Sequence, residues 1–138
     1  MIQPFQKKMI ASMPKAENHI HIEGSIPLYL ALELAEKNHV KLPCDTAQGL
    51  RQWIKDTKGT YGLNGFMYCN RKINSVCIHE EDYEAVVMEL AKQAKVQNII
   101  YQELFLDYPL NEERGIPIEV VMDGYITAKK RAIDELGV

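Results

Sequence analysis

Residues 14–27 read PKAENHIHIEGSIP and carry the strongest structural and chemical signal in the chain. The sequence predicts a short strand over residues 16–22, which runs directly into a Gly-Ser turn. Residues two apart in a strand share a face, so we expect His19 and His21 to project side by side. Two imidazoles placed in this way can bind one metal ion, with Zn–N distances of about 2.0–2.1 Å.

The rest of the chain alternates between helical and strand patterns. We expect Ser25 to cap a first helix that ends at a left-handed Asn38. Further helices are predicted over residues 46–56, 63–75, 80–96 and from Pro117 to Gly137, with a loop over 59–62 and a second strand over 98–106. This second strand is apolar enough to be covered on both faces. Two strands joined by helical crossovers predict a parallel sheet, and therefore an α/β protein with an incomplete sheet.

Composition limits the classes of protein to which the chain can belong. The 138 residues are 46% hydrophobic and 25% charged, with a formal net charge of −3, which is typical of one globular unit. We therefore expect residues 1–138 to form a single unit in which residues 1–13 are an N-terminal extension. A weak negative charge disfavours nucleic acid and anionic membranes as partners. Three cysteines without CxxC spacing indicate free thiols and a cytoplasmic location.

The sequence around the histidine pair makes a metal site more credible than the pair alone does. An isolated His-x-His is a weak signal. Here, however, the pair ends an apolar strand just before a Gly-Ser turn and a helix, and the carboxyl ends of parallel strands are where α/β active sites are built. His39 and His79, the other two histidines, are expected to be an exposed residue and a helix-start residue.

Four segments resemble the adenosine deaminase family. PKAENHIHIEGSIP is similar to the family's opening motif, PK-x-E-L-H-x-H-L-[DE]-G. GLNGFMYCN (62–70) resembles the helix that gates the family's pocket. NIIYQELFLDYP (98–109) resembles its second barrel strand, and GIPIEVVMDGYITA (115–128) resembles the helix that follows.

This resemblance implies a fold, a reaction and a set of site residues. The fold is the N-terminal portion of a (β/α)8 TIM barrel, with two parallel strands and mostly helix in this chain. The reaction is hydrolytic deamination of a 6-aminopurine, adenosine or adenine, by one Zn²⁺ ion that activates water. His19 and His21 are expected to be zinc ligands. The residues that the resemblance marks as substrate-binding are His21, Glu23, Leu63, Phe66 and Asp107.

The chain departs from the family pattern in places that bear on the substrate. Asn70 stands where an aromatic residue is common in the gating helix. Residues 105–107 read Phe-Leu-Asp, which is nearer the adenine branch, whereas the adenosine branch tends to have an Arg in place of Phe105. Together with Glu23, these residues favour a free base over a nucleoside.

The family's remaining site residues do not occur among these 138 residues. They are a third His, a catalytic Glu in a His-Ala-Gly-Glu motif, a further His and an Asp-Asp pair, all downstream of the matched region. An entire barrel needs about 250 residues. We therefore expect the isolated chain to have no useful deaminase activity.

Two other interpretations remain open at this stage. One is a different metal hydrolase that opens with His-x-His, such as a phosphoesterase. The other is a non-catalytic fragment that pairs with a separately encoded second half, or that self-associates through the exposed strand edges beside residues 99–106.

Overall fold

The computed structural model describes residues 3–137. The elements in chain order are α1 (Pro4–Ser12), β1 (Lys15–His21), α2 (Leu28–Lys37), α3 (Ala47–Asn74), α4 (Glu80–Val96), β2 (Ile99–Phe105), α5 (Pro109–Glu112) and α6 (Ile118–Arg131), with a π-helical turn over Ala132–Leu136. The predicted succession of strand, helices, strand and helix is confirmed from β1 onward, but α1 and α5 were not predicted, and the two helices expected over residues 46–75 form the single element α3. The bounds of α4 match the prediction, and each strand is within a residue or two of it.

The two strands form the predicted parallel sheet, and their register shifts at two points, between Lys15 and Ala16 and between Glu17 and Ile20. Glu17 lies opposite Gln102 and Ile20 lies opposite Leu104, so three steps along β1 match two steps along β2. This one-residue excess is a β-bulge, which bends a strand and re-aims its side chains. The ladder continues past the strand end, because the Ile22 N–H donates to the Phe105 carbonyl oxygen at 3.1 Å.

The start and end of α2 differ from the prediction. Ser25 does not cap this helix, since its hydroxyl donates to the His21 carbonyl oxygen at 2.7 Å and so closes the turn after β1. Pro27 precedes the first helical residue instead. Asn38 is not left-handed, with φ of −98°. The next residue, His39, takes the left-handed conformation at φ 54°.

The predicted loop over residues 59–62 is wrong, because α3 continues to a single break at Gly62. Only that residue leaves helical geometry, at φ 56° and ψ −129°, which a residue without a Cβ adopts at little cost. The two halves of α3 pack tightly, since a Cβ added at Gly65 would lie 2.4 Å from the Thr57 carbonyl oxygen. The helix begins as expected, with the Thr46 hydroxyl accepting the Gly49 N–H at 3.1 Å.

The core is formed chiefly by α2, α3, α4 and α6, with Ile22 and Ile26 from the turn after β1. Its fully buried members include Ala31, Leu50, Val76, Val121 and Ala128. Helices α4 and α6 approach so closely that a Cβ on Gly124 would come within 2.5 Å of the Glu80 carbonyl oxygen. No helix among residues 3–137 has the length and hydropathy that a bilayer-spanning segment requires.

Strand β2 is much less covered than its apolar sequence predicts. Ile99 is its one buried residue within the described range, while Ile100 is 74% exposed and Tyr101 is 57% exposed. Among the described residues, β1 is the one hydrogen-bonded neighbour of β2, so the second edge of β2 is unpaired. Strand β2 and α6 together line an open apolar groove.

Candidate active site at the carboxyl ends of the strands

His19 and His21 lie side by side where β1 ends. Their ring centroids are 5.1 Å apart, with the ring planes at 69° to one another. Both side chains are exposed. The expected juxtaposition of the two imidazoles is therefore present, on the edge of the sheet where α/β proteins place their chemistry.

The local backbone at His19 differs from the regular strand that the sequence predicts. Its φ is 61°, in the left-handed region, and it lies within the β-bulge. A left-handed conformation costs a residue with a Cβ roughly 1–2 kcal/mol. Strain of this kind is retained where the surrounding structure holds it, often at functional sites. The first imidazole is thus placed by a bulge and not by the simple two-residue repeat of a strand.

Phe105 lies against both imidazoles from the neighbouring strand. It is opposite His21 in the register, and its ring centroid is 4.2 Å from that of His19 and 5.8 Å from that of His21. An aromatic pair contributes about 0.5–1.5 kcal/mol beyond its buried area. That magnitude is comparable with the backbone strain at His19. We call His19, His21 and Phe105 the imidazole cluster.

Glu23 follows the histidine pair and is 2% exposed. Its Oε2 accepts the Asp107 backbone N–H at 3.0 Å, so the ends of β1 and β2 are joined through this carboxylate. Its Oε1 lies 3.4 Å from both the Asn111 amide nitrogen and the Tyr125 hydroxyl, which donate to it. Burial raises the pKa of Glu23, and the nearby Asp107 charge adds to the rise, while hydrogen bonds oppose it.

Asn111 also belongs to a group of buried and half-buried polar residues that no sequence pattern predicted. The Asn111 Oδ1 accepts hydrogen bonds from the Asn74 amide at 3.0 Å, the Tyr83 hydroxyl at 2.9 Å and the Arg114 guanidinium at 3.3 Å. Arg114 also donates to the carbonyl oxygens of Asn74 and Ser75. We call Asn74, Tyr83, Asn111 and Arg114 the buried polar network. It fixes the loop after β2 against the ends of α3 and α4.

A cavity of about 140 Å³ opens between the turn after β1 and helix α3. Glu23, Gly24, Phe66 and Asn70 are among its lining residues. The Lys58 ammonium group lies over the Phe66 ring, 4.8 Å from the ring centroid. Of the five residues expected to bind substrate, Glu23 and Phe66 therefore share a cavity.

The other expected substrate residues take different positions. Asp107 is half-buried and reaches Glu23 through its backbone. Leu63 is 75% exposed and does not line this cavity. His39 is exposed, and His79 begins α4 in a reciprocal capping box with Asp82, as expected.

Within the described part of the chain, the imidazole pair is the candidate for holding a metal. Imidazole is a good ligand for Zn²⁺, and the two rings are close enough to converge on one ion. Among residues 3–137, no cluster of three or more His, Cys, Asp or Glu side chains is arranged to hold a metal. The donor set therefore fits part of a zinc site, which needs at least three protein ligands.

Comparison with known proteins identifies the same family as the sequence motifs do. Residues 14–138 match the family model described as adenosine deaminase. The adenine deaminase of Zymomonas mobilis subsp. mobilis is 37% identical over 133 residues, which are 94% of this chain and 37% of that protein. The chain therefore spans little more than a third of the length of this curated relative.

Solved structures agree on the fold. The crystal structure of an adenine deaminase from Arthrobacter aurescens superposes with a TM-score of 0.81 at 26% identity, covering 91% of this chain and 37% of that chain. An amidohydrolase from Burkholderia ambifaria, solved with bound Zn, gives 0.78 at 16% identity, covering 100% and 37%. The chain has the fold of the N-terminal portion of a (β/α)8 barrel. Since the family model covers nearly all of its sequence, the chain belongs to the adenosine deaminase family.

Proposed function

We propose that the complete protein catalyses the hydrolytic deamination of a 6-aminopurine and releases ammonia, with adenine as the favoured substrate. The observation that carries this proposal is the pair of imidazoles 5.1 Å apart at the end of β1, in a chain of the adenosine deaminase family. The preference for adenine rests on Phe105 and Glu23, and on the name of the relative from Zymomonas mobilis. Family membership favours this reaction over the phosphoesterase alternative.

His19 and His21 would hold a single zinc ion, and the remaining ligands would come from outside this chain. Zinc supplies a Lewis acid that lowers the pKa of water to about 7. Two imidazoles alone offer weak binding and no general acid. We therefore also propose that the chain by itself does not turn over purines.

The residues around Glu23 would bind and orient the base. Phe66 offers an apolar face for the purine ring within the 140 Å³ cavity. The Asp107 N–H occupies one acceptor position of the Glu23 Oε2 and leaves another for a purine N–H. Hydrogen bonds from the Asp107 N–H, the Asn111 amide and the Tyr125 hydroxyl restrain this carboxylate. Leu63, exposed in this chain, stays a predicted gate residue.

The cell compartment and association state stay expectations. The three cysteines are free, with Cys69 and Cys77 buried and Cys44 half-buried, which is consistent with a reducing cytoplasm. Burial raises the pKa of the Cys77 thiol to about 12, so this thiol is unreactive at neutral pH. The second edge of β2 has no strand paired to it among the described residues, which favours self-association or pairing with a separately encoded second half.

A chimeric enzyme tests the proposed function. Residues 14–137 would replace the corresponding third of the Zymomonas mobilis adenine deaminase, and ammonia release from adenine and adenosine would be measured. We expect turnover of adenine that is lost in His19→Ala and His21→Ala, while Lys129→Ala, an exposed change on α6, leaves it intact. A folded chimera without purine deamination, or turnover of adenine by the 138-residue chain alone, would contradict the proposal.

A further inference from the structure

The motif that contains Phe105 bears on substrate preference and predicts no contact between Phe105 and the histidine pair. The Phe105 ring contacts both imidazoles of the pair, and it comes from the other strand. The sheet register places it directly opposite His21, and the bulge brings His19 towards the same ring. Phe105 is 37% exposed, and the two imidazoles are its aromatic neighbours.

The contacts matter because nothing else on the described part of the chain fixes the imidazole orientations. Neither ring makes a side-chain hydrogen bond with a residue in the range 3–137. Both side chains are exposed, so without a neighbouring ring each imidazole could rotate about its two side-chain torsions. A pair of ligands that rotates freely loses conformational entropy when it binds an ion, whereas a pre-oriented pair loses less.

We propose that Phe105 is a positioning residue that holds His19 and His21 in a shared orientation towards one metal ion. This inference rests on the proposed role of the two histidines as zinc ligands. A phenyl ring has no atom that binds zinc and no donor or acceptor. Phe105 therefore acts through the direction in which the imidazoles point, and through its contact with the strained His19.

The test compares Phe105 with an aromatic residue on the same strand. Zn²⁺ binding to the 138-residue chain would be measured by calorimetry for the wild type, Phe105→Leu, Phe105→Tyr and Tyr101→Leu. Tyr101 is exposed and is not in ring contact with either histidine. We expect Phe105→Leu to weaken zinc binding by roughly three- to tenfold, given the usual strength of an aromatic contact. Phe105→Tyr should restore wild-type affinity, and Tyr101→Leu should leave it unchanged.

A second measurement does not depend on any variant. Nuclear Overhauser contacts between the Phe105 ring protons and the imidazole protons of both histidines are expected in the metal-free wild-type chain. Their absence would overturn the proposal, because the rings would then not touch in solution.

The outcomes also separate this inference from the proposed function. Equal zinc affinity in the wild type and Phe105→Leu would overturn the positioning role and leave the deaminase proposal intact. An equal loss in Tyr101→Leu would overturn it as well, since the effect would then belong to the strand in general. A wild-type chain with no measurable zinc affinity would instead contradict the ligand assignment, and the positioning role with it.

Discussion

The buried polar network and the imidazole cluster differ in whether their polar groups have hydrogen-bond partners within the chain. In the network, Asn111 is fully buried, and its amide oxygen receives three hydrogen bonds from within the chain. In the imidazole cluster, His19 and His21 are exposed, and their contacts are with one another and with Phe105. The hydrogen-bonding groups of the network have partners within the chain, whereas the ring nitrogens of the imidazole cluster are open to an external group. The scaffold and the chemistry should therefore respond separately to mutation.

The largest expected effect is on the scaffold. Asn111→Ala removes the acceptor shared by Asn74, Tyr83 and Arg114. Tyr83 and Arg114 keep carbonyl acceptors, but the Asn74 amide loses its partner, and a buried donor without a partner costs about 1–3 kcal/mol. We expect the free energy of unfolding to fall by about 3 kcal/mol in a urea titration. Asn64→Ala, an exposed change on α3, is the control and should change stability by less than about 0.5 kcal/mol. A loss below about 1 kcal/mol for Asn111→Ala would show that the network is not what holds the loop.

Acid should destabilise the same scaffold through Asp82, a fully buried carboxylate at the start of α4. Burial alone would raise its pKa, but its hydrogen bonds outweigh burial and lower the pKa. The donors are the backbone N–H groups of His79 and Ile78 and the side chains of Lys37 and Asn38.

Because the folded-state pKa of Asp82 lies below its unfolded value of about 3.9, its stabilisation is present above that pH and is lost as the pH falls through the folded pKa. The stabilities of the wild type and Asp82→Asn, measured by urea titration, should therefore converge as the pH falls below about 4. A difference in stability between the two proteins that stays constant as the pH falls would contradict the lowered pKa.

A smaller effect of opposite sign is expected where the backbone is strained. His19 and His39 are both left-handed, at φ 61° and 54°. Glycine relieves this conformation, so His39→Gly should raise the free energy of unfolding by about 1 kcal/mol relative to His39→Ala. His19→Gly should do the same relative to His19→Ala, but it should also abolish zinc binding, which His39→Gly leaves unchanged. Equal stability of the Gly and Ala variants at position 19 would show that the bulge is not strained.

The smallest expected change in stability is at the second imidazole. His21→Ala removes an exposed side chain without a hydrogen-bond partner in the described part of the chain, so stability should change by less than about 0.5 kcal/mol. Zinc affinity should nevertheless fall by at least tenfold in calorimetry, because one of two ligands is lost. A His21→Ala variant that loses stability but keeps its zinc affinity would contradict the role of His21 as a zinc ligand.

The sequence predicted the sheet and the helices well because their periodic patterns are local. The stripe of apolar residues in α4 and the turn after His21 depend on neighbours within a few positions. The sequence predicted a loop over residues 59–62, whereas the structure has helix on both sides of a break at Gly62 alone. Glycines in a segment favour a loop prediction, and they do not show whether the helix continues around them. The prediction that Ser25 caps α2 was wrong, because the Ser25 hydroxyl donates to the His21 carbonyl oxygen instead.

The candidate site was predictable in its residues but not in its geometry. The proximity of His19 and His21 follows from their spacing, yet the bulge that shapes it depends on the register between β1 and β2. The same register is needed to see that Phe105 meets both rings. The partners of Glu23 come from positions 107, 111 and 125, and no local pattern links these positions to residue 23.

Cadmium NMR of the chain labelled with ¹⁵N-histidine tests the shared metal site most directly. We predict one ¹¹³Cd signal coupled to a ring nitrogen of His19 and a ring nitrogen of His21, at one ion per chain. Coupling to only one of these imidazoles, or to His39 or His79 instead, would contradict the account.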